Sequence, residues 1–437
     1  MSIDPISRRK FIQTTGAAGV ASLLANVPSV YGNHHKEKVR VGLIGLGGRG
    51  CGAGIINCAE ADTNIELVAI GDLFKDHLDQ AKERIQGNMV KKNLPFDDIY
   101  KVKNKNMFHG FDAYKKVIAS DVDLIILTTP PVFRPLHFRA AVQAGKHCFI
   151  EKPVAVDPAG VKHIVETSKM AEKKGLTVVA GTQMRRGRHF QALVEKVREG
   201  AVGEIMSGQS TRLGGALTNW RESEAVRRPE WSDMEWQLRR WLFCTWSSGD
   251  FIVEQHVHNL DIVDWIMGSH PVQVIGTGGR QSRTGPAYPN VWDNMSVEYE
   301  YSNGARITHL GAQMDGISGR NDLVMHGTEG LLKSSFANAK ISGKHAWEYE
   351  GPTPNPAIVE YADTLDSIRN SKGINEGERI AQSTMTAILG RMAAYSGRAL
   401  KWDWAMNASK LDLTPKEWKF GDYPLADVAI PGVTKLV

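Results

Sequence analysis

A short β-rich run, KVRVGLI over residues 38–44, ends in Gly45-Leu46-Gly47-Gly48-Arg49-Gly50, and a segment of helical character follows over 51–60. A second β-like run, IELVAI over 65–70, leads into Gly71-Asp72. A glycine-rich chain produces an isolated G-x-G-x-x-G by chance. Strand, glycine turn, helix, strand and acid in that order are far more restrictive, because they spell out a βαβ unit that carries a dinucleotide. Gly45 permits the tight turn, Gly47 lets backbone N–H groups approach a pyrophosphate, and Gly50 lets the helix pack closely on the strand. Gly48 and Arg49 complete the loop, and the helix N-terminus faces the anion. Asp72 stands where a carboxylate accepts hydrogen bonds from the adenosine ribose hydroxyls and repels a 2′-phosphate, so NAD is expected ahead of NADP. Arg49 and Lys75 keep NADP open.

The α/β pattern continues. Residues 123–128 (DLIILT) form an apolar run of the kind found in a buried parallel strand, stopped by Thr129-Pro130-Pro131. A helix containing His137 follows, then a further strand at 147–150 (HCFI) that ends in Glu151-Lys152-Pro153. Ligands collect at the carboxyl ends of such strands, which makes Thr129, Pro130, His137, Glu151 and Lys152 candidate cofactor contacts. Lys152 beside a bound cofactor is placed to polarise a hydroxyl or carbonyl, with Glu151 holding it. The alternative is a surface lysine before a turn proline.

Farther on, residues 249–268 read GDFIVEQHVHNLDIVDWIMG. Glu254, His258 and Asp261 stand at i, i+4 and i+7, which on one helix is one face. A carboxylate one turn before an imidazole fixes its tautomer and raises its basicity, as general-base work requires. The competing reading of His258 is a satisfied core histidine. His256 and His258 lack a further ligand at metal-binding spacing, so no metal is expected.

The second half adds a strand-like stretch, LTVVAG over 176–181, then Thr182-Gln183-Met184-Arg185, where Gln183 and Arg185 suit a hydroxyl-rich or anionic substrate. Trp220, Trp231, Trp236, Trp241 and Trp246, with Arg239 and Arg240 among them, offer flat faces for sugar C–H groups or for core packing. Asp261 and Arg240 join Gln183 and Arg185 as candidate substrate contacts. From Val272 onward, β-like runs recur between glycines such as Gly304 and Gly330. The expected fold is an α/β N-terminal Rossmann domain at 36–155 and an α+β domain at 156–405. The latter carries a large, mainly antiparallel open sheet with one face on the cofactor domain and the other free for a second subunit. Residues 406–437 read as a surface tail.

The first 35 residues set Arg8, Arg9 and Lys10 against Asp4, then run through a short Gly/Ala-rich apolar stretch too brief to span a bilayer. Paired arginines followed by Lys and Phe resemble a twin-arginine signal, so export to the periplasm in the folded state is expected, with the export machinery as a partner. The net charge of +5 is partly spent there, and no basic run marks a nucleic-acid surface. Four cysteines in 437 residues do not make a disulfide framework.

GLGGRG, the strand ending in TTP, AGKHCFIEKP and the 249–268 segment, in that order, resemble the Gfo/Idh/MocA family of glucose–fructose oxidoreductase, inositol dehydrogenase and their relatives. The resemblance implies that Lys152 contacts the reacting hydroxyl near the nicotinamide, that His258 accepts the hydroxyl proton and that Glu254 orients it. Many relatives have Asp where this chain has Glu254. The implied activity is hydride transfer between a sugar, glycoside or polyol carbinol and a tightly bound NAD, in a homo-oligomer. Two alternatives stand beside it. One is a glycoside hydrolase working by transient oxidation and elimination, although Phe251-Ile252-Val253 lacks the Tyr of such relatives. The other is a non-catalytic NAD- or sugar-binding protein.

Overall fold

The computed structural model describes residues 38–215 and 227–435, and Lys38–Val437 form one compact unit. The leader, with Arg8 and Arg9, and Trp220 lie outside the described residues. Six parallel strands make the first sheet: β1 (Val39–Ile44), β2 (Ile65–Asp72), β3 (Met107–His109), β4 (Leu124–Leu127), β5 (His147–Ile150) and β6 (Val178–Ala180), in spatial order β3-β2-β1-β4-β5-β6. The order reverses between β1 and β4, so a crevice opens there at the carboxyl ends. The central strand β4 is apolar and buried throughout, and β1 is buried except at Arg40, because helices cover both faces. β6 extends this sheet past residue 155, into the stretch assigned on sequence to the second domain. It does so because the helix Pro158–Lys173 is one more crossover between parallel strands, capped by Asp157, which accepts from the Gly160 N–H at 2.7 Å.

The second sheet has nine strands: β7 (Ile205–Gly214), β8 (Gln273–Gly279), β9 (Asn294–Glu300), β10 (Arg306–Gln313), β11 (Arg320–Gly327), β12 (Gly330–Ser335), β13 (Ala339–Gly343), β14 (Trp347–Glu348) and β15 (Leu400–Lys401). Their order is β14-β13-β12-β11-β7-β10-β9-β8-β15, antiparallel except for β7 with β10. Register puts Ile275, Glu298, Thr308, Gln209 and Val324 in one row on the outer face. The adjacent inner row holds Val297, His309, Ser210 and Leu323. That inner face rests on the helices Arg188–Arg198, Val257–Met267 and Gly377–Ser396, which stand where the cofactor domain itself was expected.

The two halves share their interior. One hydrophobic core runs from Ile44, Ile125 and Ile150 of the first sheet to Val297, Met385 and Met392 of the second half. The helix Pro356–Arg369 from late in the chain backs the first sheet, where Tyr361 stacks on Phe149 with centroids 4.0 Å apart. No helix among the described residues is long and apolar enough to cross a membrane.

Candidate active site

The glycine turn is built as its sequence requires. Gly45 has φ +99°, and a Cβ on Gly50 would lie 1.9 Å from the Gly45 carbonyl oxygen. The Thr128 hydroxyl locks the turn by donating to the carbonyls of Ile44 and Gly45 at 3.0 and 2.7 Å. The following helix opens with a π-helical turn, Gly50–Gly54, before it becomes α-helical at Ile55–Ala61. Gly47 and Gly48 have open space where a Cβ would project, and both line a cleft of about 930 Å³. Asp72 is buried at the cleft edge, accepting from the N–H groups of Leu46 at 2.6 Å and Phe74 at 2.8 Å. Thr129, Pro130 and His137 line the same cleft. The cradle therefore fits a dinucleotide: bare backbone at the turn, and a fixed carboxylate at the end of β2.

His137 is held by Thr129 at 3.3 Å and stacks on Tyr114 at 4.1 Å; burial, with help from the Arg134 charge, pushes its pKa down to about 3. Arg134, also buried, donates to the carbonyl of Thr129 at 2.9 Å and to that of Pro153, tying together two loops at strand ends. Tyr114, Phe133 and Arg134 were not singled out from sequence. Their roles depend on strands brought together by the fold, so no local spacing marks them.

Glu254 closes one part of the cleft, and Lys152 is bonded to it. The Lys152 ammonium donates to the Glu254 carboxylate at 3.1 Å and to the Glu254 backbone carbonyl. This corrects two expectations. Glu151 does not hold Lys152, because it is paired at 2.6 Å with Arg49 from the glycine turn. Glu254 does not orient His258, because the helix is interrupted: Phe251–Glu254 ends, and a new helix runs Val257–Met267. The i, i+4 relation needs one continuous helix, and the break turns Glu254 toward the lysine instead.

His258 is buried, and its Nδ1 has no hydrogen-bond partner among the described residues. Burial, then the charges of Lys152, Arg212 and Arg49, hold its pKa well below the ordinary histidine range. It is therefore neutral at pH 7, the form that accepts a proton. Lys152 is lowered too, by burial, with Glu254 and then Glu151 opposing. The break between the helices is braced by Arg212 on β7, which donates to the Gln255 carbonyl at 2.8 Å and to Asn259 at 3.3 Å. Behind it, His256 shares a 2.9 Å hydrogen bond with His309, whose other ring nitrogen meets Ser210 at 3.1 Å.

Three proposed substrate contacts are used otherwise. Asp261 is buried against Arg185 (2.8 Å), Arg379 (3.3 Å) and Ser383 (2.5 Å), so its carboxylate and the Arg185 guanidinium neutralise each other away from water. Arg240 is buried with its guanidinium on the Ala287 carbonyl at 2.7 Å. Gln183 follows β6, and its buried Oε1 has no hydrogen-bond partner among the described residues. Of the aromatic cluster, Trp231 and Trp241 line the cleft, whereas Trp246 is buried with its N–H on Gln237 at 2.8 Å. Among the described residues, no group of three or more His, Cys, Asp or Glu side chains is arranged around a metal position.

Residues 39–182 match the oxidoreductase family with an NAD-binding Rossmann fold, and residues 190–333 match the GFO/IDH/MocA C-terminal domain. A glycosyl hydrolase family 109 protein of Shewanella baltica is 25% identical over 345 residues, covering 74% of this chain and 69% of that protein. The 2,7-anhydro-N-acetylneuraminate hydratase of Escherichia coli is 27% identical over 213 residues, 48% of this chain. That match spans about half of the hydratase, 51% of its length. Among solved structures, the aldose-aldose oxidoreductase of Caulobacter crescentus superposes with a TM-score of 0.60 at 18% identity, covering 84% of this chain and 100% of that one. The scyllo-inositol dehydrogenase of Lactobacillus casei, solved with NAD(H) and scyllo-inositol, gives 0.59 at 17% identity, covering 84% and 99%. These superpositions extend the likeness in fold over both halves. With the nucleotide-binding and C-terminal domains matched in chain order, the chain belongs to the Gfo/Idh/MocA family of oxidoreductases.

Proposed function

We propose that the protein oxidises or reduces a carbinol of a sugar, glycoside or polyol, using NAD in preference to NADP and keeping it tightly bound. The observation that carries this reading is the Lys152–Glu254 pair at the glycine-turn cleft, with a neutral, buried His258 close enough to feel the lysine charge. A nicotinamide bound in the cleft supplies the hydride acceptor for a carbinol C–H. His258 takes the hydroxyl proton on a ring nitrogen, and Lys152 donates a hydrogen bond to the substrate oxygen. Glu254 favours the charged form of Lys152 against the cost of burial. Gln183 supplies an acceptor for a further substrate hydroxyl, and Trp231 and Trp241 supply flat apolar faces. The test is to denature purified protein, identify any released nucleotide by mass, and follow nicotinamide absorbance with a panel of sugars. Absence of any bound nucleotide together with failure to reduce added NAD would remove the reading.

Arg8 and Arg9 support export through the twin-arginine pathway, tested by fractionating cells that carry R8K/R9K. Outside the cytoplasm free NAD is scarce, so a retained cofactor reduced by one substrate and reoxidised by a second fits that location. The outer sheet face, where Ile275 is 50% exposed, is proposed to pair with a second copy; analytical ultracentrifugation decides this. A second activity is favoured by the family 109 relative, whose match covers 74% of this chain. Release of aglycone without net NADH would identify a hydrolase.

A further inference from the structure

Part of the cleft wall comes from outside the parallel-sheet domain, and some of its support comes from beyond residue 333, where the second family match ends. Arg239 closes the helix Asp233–Arg239 and reaches Phe74 and Asp76, just past Asp72. Its guanidinium packs against two rings, 4.1 Å from the Phe74 centroid and 4.7 Å from that of Trp231. On its edge, Nη1 and Nη2 donate to the Asp76 carboxylate at 3.1 and 3.2 Å, and Nε donates to Glu235 at 3.0 Å. A cation packed against two rings and hydrogen-bonded to two carboxylates is a rigid bolt, unlike a lone surface ion pair.

The tail completes this bolt. Phe420 stacks parallel on Phe74, with centroids 6.1 Å apart and planes within 10°. It also meets Phe111 at 5.0 Å, while Trp418 stacks on Phe133 at 4.5 Å. The Met234 N–H donates to the Gly421 carbonyl at 3.1 Å, and Gln237 donates to the Tyr423 carbonyl at 2.5 Å, so tail and helix form one piece. Phe74, Phe111 and Phe133, the three rings this piece grips, all line the nucleotide cleft.

We propose that this clasp is a cofactor-retention element, and that opening it limits release of the adenosine half of the dinucleotide. The proposal rests on the cofactor assignment above and assigns a role in binding to Arg239, Asp76 and Phe420. The test uses the full chain. Protein loaded with NADH is mixed with excess NAD, and the loss of NADH fluorescence gives the release rate. Asp76→Asn removes the carboxylate charge from the bolt. Phe420→Ser removes the tail ring from a position 42% exposed, and a Tm near that of wild type is expected to show the fold intact. Release at least about tenfold faster in both variants is expected, with binding rates changed far less. Release within about threefold of wild type in both overturns the clasp. A wild-type protein that binds no NADH overturns the cofactor assignment and the clasp together, whereas normal binding with unchanged release overturns the clasp alone.

Discussion

His258 is neutral, and its Nδ1 has no partner among the described residues, so the catalytic role proposed for it is separable from folding. His258→Ala is expected to lower turnover by about 10²–10⁴-fold while NAD binding persists, which rate assays and nucleotide titration check side by side. Glu254→Gln tests the correction to its role. The carboxylate favours the charged form of Lys152, so its loss lets burial lower the lysine pKa further. If the protonated ammonium is the active form, the alkaline limb of the pH–rate profile moves to lower pH. An unmoved limb would mean that Lys152 does not act through its charge. His137 gives a stability readout. Its folded pKa of about 3 lies below the unfolded value near 6.5, so the unfolded chain takes the proton first. Stability is therefore complete above pH 6.5 and falls as the pH drops toward 3. In His137→Phe that proton is gone, and the decline in Tm between pH 6.5 and 4 should be shallower than in wild type.

The elements differ in how openly the sequence announces them. The glycine turn is written locally, and each glycine meets the constraint its position implies: space at Gly47, and contact with the Gly45 carbonyl at Gly50. Two substitutions to alanine should therefore fail differently. Gly47→Ala is expected to melt near the wild-type temperature but lose NAD affinity by about tenfold or more, since its methyl enters the pyrophosphate position. Gly50→Ala is expected to cost more than ~4 kcal/mol in denaturant unfolding, since backbone must move. Equal stability of the two would contradict the geometry. The His258 region was legible in composition but not in shape. Heptad-like spacing of Glu254, His258 and Asp261 predicts one face, yet the chain breaks at Gln255-His256, where Arg212 and His309 from distant strands capture the turn. Neither partner has any sequence proximity to that turn. Asp261 was drawn inward by Arg185 and Arg379 for the same reason: buried charges are matched in three dimensions, and spacing along one helix shows only half of each match.

At the scale of the molecule, hydrophobic periodicity announced both sheets but not their joint core, nor β7, whose short apolar content hides a strand at the centre of the nine. The alternation in β8 to β12 shows that these strands have an inner face. It does not show that helices from residue 356 onward would finish the first sheet, as Tyr361 does on Phe149 and as Arg369 does on the carbonyl of Asn64 at 2.9 Å. That arrangement changes what the two family-matched segments are physically. Residues 39–182 form a recognisable domain, but one wall of their sheet is supplied by the helices Pro356–Arg369 and Gly377–Ser396, and their core continues into that of the second half. Exposing so much apolar surface would leave the isolated segment short of the burial a domain of its size needs. The intact protein should therefore unfold in a single calorimetric transition whose van't Hoff and calorimetric enthalpies agree. Residues 38–182 expressed alone should lack cooperative unfolding. Two resolved transitions in the intact chain, the first matching the melting of the isolated segment, would show that the shared core does not couple the halves.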